Sequence, residues 1–397
     1  MENYKNRLLL LLSVIALSSP ESTQPRSVST DREGLVKTIE SGVHGVLIDC
    51  IDIHKQPALR HPLLKNHTIQ MAPNSLYPVG QEDEKPRRGT NISQSWSKNG
   101  ECPHGTISVL RMTEPAHRQP PPRFPQIIKN ENAYGSNEVI FESPKGHEYA
   151  QLAAINGNYQ GAAAYVNVWE PIVFSNETST AHIWLASPGN RNNVIMAGWM
   201  VNPQSQFGKK PTFFIYWTVD GNQKTGCYNL DCPGFVKLNP DILGFPAPQI
   251  STYNGQQFDF NLRIVKDPST NDWWVFLDTQ AVGYWPGSLV TGLNKGAFIA
   301  TWGGHVDFSS SPPVSRHTTT EMGSGHFPGE GFTKAAYFRN VGYATGDQNN
   351  KVGQVGEYYK LITRPECYDV QEGSNPDWGT SFYYGGPGYS ANCQYST

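Results

Sequence analysis

The sequence predicts an all-β protein, an antiparallel β-sandwich, and three observations carry that expectation. Apolar residues recur with a period near two, aromatic residues make up 12% of the chain, and 38 Gly with 30 Pro supply turn signals at short intervals. Residues 257–266 show the pattern best: Phe258, Phe260, Leu262 and Ile264 fall on one face of a strand, with Asp259, Asn261 and Arg263 on the other. Further strands are expected over 163–169, 182–186, 195–201, 213–219, 273–277 and 297–302. In this half no helical pattern exceeds two turns. Many short strands separated by turns indicate a sandwich or barrel.

Before this β-rich part, the N-terminus has the layout of a cleaved signal peptide. Lys5 and Arg7 precede an apolar run from Leu8 to Leu17, followed by Ser18, Ser19 and Pro20, which places the signal over residues 1–22. The run is too short to span a bilayer, and no later segment is long and apolar enough, so export is expected, with no membrane association after cleavage. Six cysteines in an exported chain point to disulfides, and position suggests Cys50 with Cys102, Cys227 with Cys232, and Cys367 with Cys393. N-glycosylation sequons at Asn66, Asn91 and Asn176 agree with export. A net charge of −3 with only 16% charged residues gives no electrostatic footprint for nucleic acid or anionic lipid.

Two domains are expected. Residues 30–112 form a small unit with its own cysteine pair, residues 113–132 a proline-rich exposed linker around Pro115, Pro120, Pro121, Pro122 and Pro125, and residues 133–397 the β-sandwich. Several chemistries have no motif here: there is no Gly-x-Ser-x-Gly, no phosphate loop, no Gly-x-Gly-x-x-Gly and no His-Glu-x-x-His. Cys227 and Cys232 are spaced like half of a zinc site, but the oxidising compartment favours a disulfide. No metal or other cofactor is expected.

Whole phrases of the sequence carry a more specific signal. They include Asp49-Cys50-Ile51-Asp52-Ile53-His54-Lys55-Gln56-Pro57-Ala58 and, further on, Ala197-Gly198-Trp199, Tyr216-Trp217-Thr218 and Thr225-Gly226-Cys227-Tyr228-Asn229-Leu230. Ser251-Thr252-Tyr253-Asn254-Gly255-Gln256-Gln257-Phe258-Asp259, Val282-Gly283-Tyr284-Trp285-Pro286 and Gly303-Gly304 follow in order. The first phrase resembles the activation-peptide region of the neprosin family, and the others resemble that family's core blocks. The resemblance implies a secreted zymogen of plant type, apoplastic or vacuolar, with an activation peptide before a concanavalin-like sandwich similar to glutamic peptidases. Active members cleave peptides after proline at acidic pH with two glutamates and no metal.

The two carboxyl groups of such a dyad share a proton, one serving as acid and the other as base. By the resemblance, the first glutamate stands directly before Ala-Gly-Trp and the second directly after Gly-Gly. This chain has Met196 and His305 there. A thioether neither takes up nor delivers a proton. His305 is expected to be mostly imidazolium at acidic pH and so a poor base, with Asp307 placed to orient or pair with its ring. The aromatic residues Trp199, Tyr216, Trp217, Tyr228, Trp285 and Trp302 read as core and cleft wall, or as a groove for proline-rich or other extended ligands. The expected protein is therefore a non-catalytic or impaired glutamic peptidase homologue that retains a groove for a peptide or cell-wall ligand. The alternatives are an active proline-directed endopeptidase with an altered dyad and a glycan-binding sandwich module.

Overall fold

The structure is a computed structural model that describes residues 33–43, 46–77, 95–112, 120–129, 139–188, 193–309, 317–346, 352–353 and 358–394. The signal segment over 1–22 and the sequon at Asn91 lie outside the described residues. An N-terminal antiparallel sheet contains β1 (Leu35–Glu40), β2 (Val46–Asp52) and β3 (Thr106–Met112), and a short hairpin follows, β4 (Gln126–Lys129) with β5 (Val139–Glu142). The main sheet then begins with β6 (His147–Asn167), β7 (Thr178–Ala186), β8 (Val194–Val201), β9 (Thr212–Thr218) and β10 (Cys227–Tyr228). It continues with β11 (Val236–Lys237), β12 (Asp259–Lys266), β13 (Trp273–Leu277), β14 (Gln280–Trp285) and β15 (Ala297–Asp307). The last strands are β16 (Ala336–Thr345), β17 (Val352–Gly353), β18 (Tyr359–Ile362), β19 (Asp369–Glu372) and β20 (Phe382–Gly385). Helical structure among the described residues is confined to short 3₁₀ turns.

One strand organises the two layers. The 21 residues of β6 change partners over residues 156–160, a stretch that opens at Asn156 with a positive φ of 61°. Before that bend β6 lies between β15 and β18; after it, β6 lies between β12 and β16. The front layer thus runs β10-β9-β8-β7-β15-β6-β18, and the back layer runs β11-β14-β13-β12-β6-β16-β20-β19. Alternation supplies the core between them. Ile195, Ala197, Trp199 and Val201 of β8 and Ile183 and Leu185 of β7 meet Leu262 and Ile264 of β12 and Phe338 of β16. Two indoles tie the layers together: Trp199 Nε1 donates to Asn167 O (2.9 Å), and Trp302 Nε1 to Ala163 O (3.1 Å). Buried Trp N–H groups commonly find such a partner.

Glu33–Thr397 form one compact unit. The N-terminal sheet packs on the sandwich through Ile39, Ile48, Cys50 and Trp96 around Phe245. At that junction Gln56 and Lys237 exchange bonds, Gln56 Nε2 to Lys237 O (3.3 Å) and Lys237 N to Gln56 Oε1 (2.8 Å). Lys237 Nζ donates to Ser108 O (2.7 Å), and burial pushes its pKa down to about 7. Residues 53–77 then cross the outer face of the back layer, where His67 meets the Tyr284 hydroxyl (2.7 Å) and Asn74 N donates to Asp267 Oδ2 (2.7 Å). Disulfides join Cys50 to Cys102, Cys227 to Cys232 and Cys367 to Cys393. No helix among the described residues is long and apolar enough to cross a membrane.

Candidate functional site on the front face

The outer face of the front layer displays side chains in rows set by strand register. One row holds Met200, Thr180, His305 and Tyr149; the next, Gly198, His182, Gly303 and Gln151; a third, Met196, Trp184, Thr301 and Ala153. Met196 and His305 therefore share this face, two strands and four residues apart, roughly 10 Å across and 13 Å along on ordinary strand spacings. They are buried, at 3% and 4% exposure. The glycines of the middle row are dictated by close backbone approach. A Cβ on Gly198 would stand 2.1 Å from Ala181 O, and one on Gly303, at φ 146°, 2.4 Å from Ala150 O.

A directed chain of hydrogen bonds crosses these rows. Trp184 Nε1 donates to Gln151 Oε1 (3.1 Å), and Gln151 Nε2 donates to His182 Nε2 (3.1 Å). That assignment leaves the ring proton on His182 Nδ1, facing Thr180 Oγ1 (3.0 Å), whose hydroxyl donates to His305 O (3.3 Å). Every link has a donor and an acceptor, so His182 is fixed as one neutral tautomer. Burial pushes its pKa down to about 3.

His305 is held differently. Its Nε2 lies 3.1 Å from His147 Nδ1, and Tyr149 stacks on its ring at 4.4 Å. Burial drives the His305 pKa well below the usual value, and the neighbouring His147 and His182 push the same way. Burial and the two neighbouring imidazoles thus both work against the imidazolium expected at acidic pH. Burial also lowers the pKa of His147, against the pull of Asp307. Asp307 Oδ1 stands 3.7 Å from His147 Nδ1 and accepts from Ser309 N (2.9 Å) and Ser309 Oγ (2.6 Å). The acid expected to orient His305 is therefore placed beside His147. Chemically, the face offers a thioether, imidazoles whose protonation burial opposes and a carboxylate committed to its own turn, with no pair of carboxyl groups to share a proton.

Within the stretch expected to be an exposed linker, residues 122–125 lie against this face. Pro122 and Pro125 are buried. Phe124 packs beside Trp184 (ring centroids 5.2 Å apart) and Tyr216 (6.4 Å). Tyr149 OH donates to Arg123 O, and Asn222 Nδ2 donates to Pro122 O (2.8 Å). Apolar burial of Phe124 with these two anchors explains why a proline-rich segment settles there instead of remaining in solvent.

The aromatic candidates separate by strand parity. Tyr216 and Tyr228 belong to the front-face cluster with Met196 and Trp184. Trp199, Trp217, Trp285 and Trp302 do not line a groove; they point into the core between the layers. That correction has a simple cause, because Trp199 is three residues from Met196, and Trp217 one from Tyr216, odd steps that reverse the face. His147, Tyr149, Gln151, His182 and Trp184 were missed as a set. Asn66 and Asn176 are exposed. His317, Cys367 and Cys393 cluster closely, but the two cysteines are joined as a disulfide, which removes their thiolates as metal ligands.

Fold and site together define a two-layer β protein with an N-terminal segment fastened to its sandwich and a front face on which His147, His182 and His305 gather. The family models for Neprosin and for the Neprosin activation peptide match residues 175–387 and 38–153, and the chain belongs to the neprosin family. Solved structures with a likeness to it include scytalido-glutamic peptidase with a peptide-based transition state analogue, at 10% identity over 60% of this chain and 98% of that one, TM-score 0.33. Another is SCP-B, a member of the eqolisin family of peptidases in complex with the tripeptide Ala-Ile-His, at 10% identity over 60% of this chain and 96% of that one, TM-score 0.32. At these scores neither likeness transfers a residue's role.

Proposed function

We propose that this is an exported, non-catalytic member of the neprosin family that holds extended, proline-containing peptides on its front face. The observation that carries the reading is the chain's own Pro120-Pro121-Pro122-Arg123-Phe124-Pro125, which lies on that face through one aromatic ring and two carbonyl contacts. Extended proline-rich chain is preorganised for such a seat, because its conformation costs little entropy to fix. The lack of chemistry follows from Met196 and from histidines kept neutral by burial, which leave no acid to protonate a leaving nitrogen. The signal-like N-terminus and the disulfides support export.

The test uses the purified full chain. A synthetic Pro-Pro-Pro-Arg-Phe-Pro peptide should bind to the Phe124→Ala variant at least about tenfold more tightly than to the unaltered protein, since the internal competitor is weakened. Incubation with proline-containing peptides from about pH 2 to pH 8 should give no cleavage by mass spectrometry. Turnover abolished by His305→Ala would sink the non-catalytic reading and favour an altered dyad.

A further inference from the structure

The Ser251–Asp259 phrase is among the longest of the matching blocks, yet it contributes nothing to the front face. It forms one wall of a cavity of about 280 Å³ on the outer face of the back layer, where Gly255, Gln257 and Asp259 meet Phe332, Tyr337 and Trp378. We propose that this cavity is a binding site for a neutral saccharide, and the inference stands apart from whether the front face is catalytic.

Three features of the cavity point to that ligand. First, two of its three rings, Phe332 and Trp378, are only partly covered. Phe332 is 50% exposed and stands edge-on to Trp378, at 5.3 Å and 82°, while Tyr337 lies 4.5 Å from Trp378. An aromatic face carries partial negative charge and suits the weakly positive C–H face of a pyranose. Second, the polar groups are rigid and cancel in charge. Asp259 Oδ2 accepts from Arg339 Nε (2.7 Å) and from the Tyr337 hydroxyl (2.8 Å), Arg339 Nη2 reaches Oδ1 (3.2 Å), and the guanidinium sits 3.8 Å over the Tyr165 ring. A paired carboxylate and guanidinium favour hydroxyl groups over an ion. Third, Gln257 supplies a spare acceptor. Its Nε2 donates to Thr252 O (2.9 Å) and Gly255 O (3.2 Å), while Oε1 is shut from solvent without a partner among the described residues. A buried acceptor left unmade costs about 1–3 kcal/mol, which a ligand hydroxyl recovers once a small shift of the Gln257 side chain opens Oε1 to the cavity.

Size narrows the class further. The cavity lies at the small end of ligand sites, which run from roughly 300 to 1,000 Å³, and so accepts about one sugar ring and excludes a folded peptide. Asn375 closes the rim, its side-chain oxygen held by Asp377 N (3.0 Å). A neighbouring part of the back face is covered by residues 53–77, through Ala58 on Trp274 and Tyr284 and through Leu76 and Tyr77 on Ala163 and Val265. That covering segment contributes no residue to the cavity's lining.

The full chain is titrated with cellohexaose, xylohexaose and mannohexaose, followed by saturation-transfer NMR and tryptophan fluorescence. At least one should bind, with Trp378→Ala and Phe332→Ala each weakening it about tenfold or more and Phe124→Ala leaving it unchanged. Phe332 is half-exposed, so its variant keeps an unaltered melting temperature and separates lost binding from lost fold. No binding by any of the three up to about 10 mM overturns the proposal, as does binding that survives both ring truncations. Capture of a proline-rich peptide at this cavity, lost in Phe332→Ala, also overturns it.

Discussion

The outer faces of the two layers are built from the same materials, aromatic rings with amides, carboxylates and hydroxyls between them, but they are finished differently. On the front, Trp184, Gln151, His182 and Thr180 satisfy one another in sequence, and Phe124 packs on Trp184. On the back, the corner lined by Gln257, Phe332 and Trp378 keeps a half-exposed ring and an unmade acceptor. The four groups of the front chain, closed on one another, gain stability and specificity of structure; the unmade acceptor beside a half-exposed ring at the back is kept for a partner.

Matched truncations test that contrast most directly. Trp184→Ala, in the fully buried front cluster, should cost about 3–5 kcal/mol of unfolding free energy in denaturant titrations. Trp378→Ala should cost only about 1–2 kcal/mol, because its ring is partly in water already. Equal losses would erase the distinction between the faces.

Acid should separate them next. An unfolded histidine titrates near 6.5, whereas folded His182 does so at about 3, so below pH 6.5 the unfolded chain takes up a proton that the fold refuses. The stability is fully present above that pH and drains as pH falls, by up to about 1.4 kcal/mol per pH unit for each such ring, or roughly 3 kcal/mol by pH 4 for His182 alone. His305 and His147 shift in the same direction. Urea titrations at several pH values check this, and His182→Gln should flatten the profile.

Smaller effects sharpen the picture. Gln151→Leu strands Trp184 Nε1 and His182 Nε2 and should cost about 2 kcal/mol by thermal unfolding. Phe332→Ala should stay within about 0.5 kcal/mol of the unaltered protein while removing saccharide binding.

Much of this fold was legible in the sequence wherever one face of a strand is polar. Phe260, Leu262 and Ile264 enter the core as the alternation of 257–266 implies, while Arg263 lies over Phe276 on the other side. The first half of β6 was not legible, because His147, Glu148 and Gln151 are polar residues that the fold buries, and alternation fades when both faces are covered. The positions of Met196 and His305 were readable from their neighbouring phrases. The protonation state of His305 was not, since it depends on His147 and His182, which approach only through strand pairing. The aromatic residues read as core and cleft wall or as a groove, and parity relative to Met196 and Tyr216 already separates Trp199 and Trp217 toward the core.

The long strand β6 has a mechanical consequence. Its first half places His147, Tyr149 and Gln151 under the front face, and its second half places Tyr165 beneath Arg339 and pairs Asn167 with Asp259 at the back cavity. The two faces thus share one continuous strand, so a change that slips the register of β6 against β15 or β12 reaches both at once.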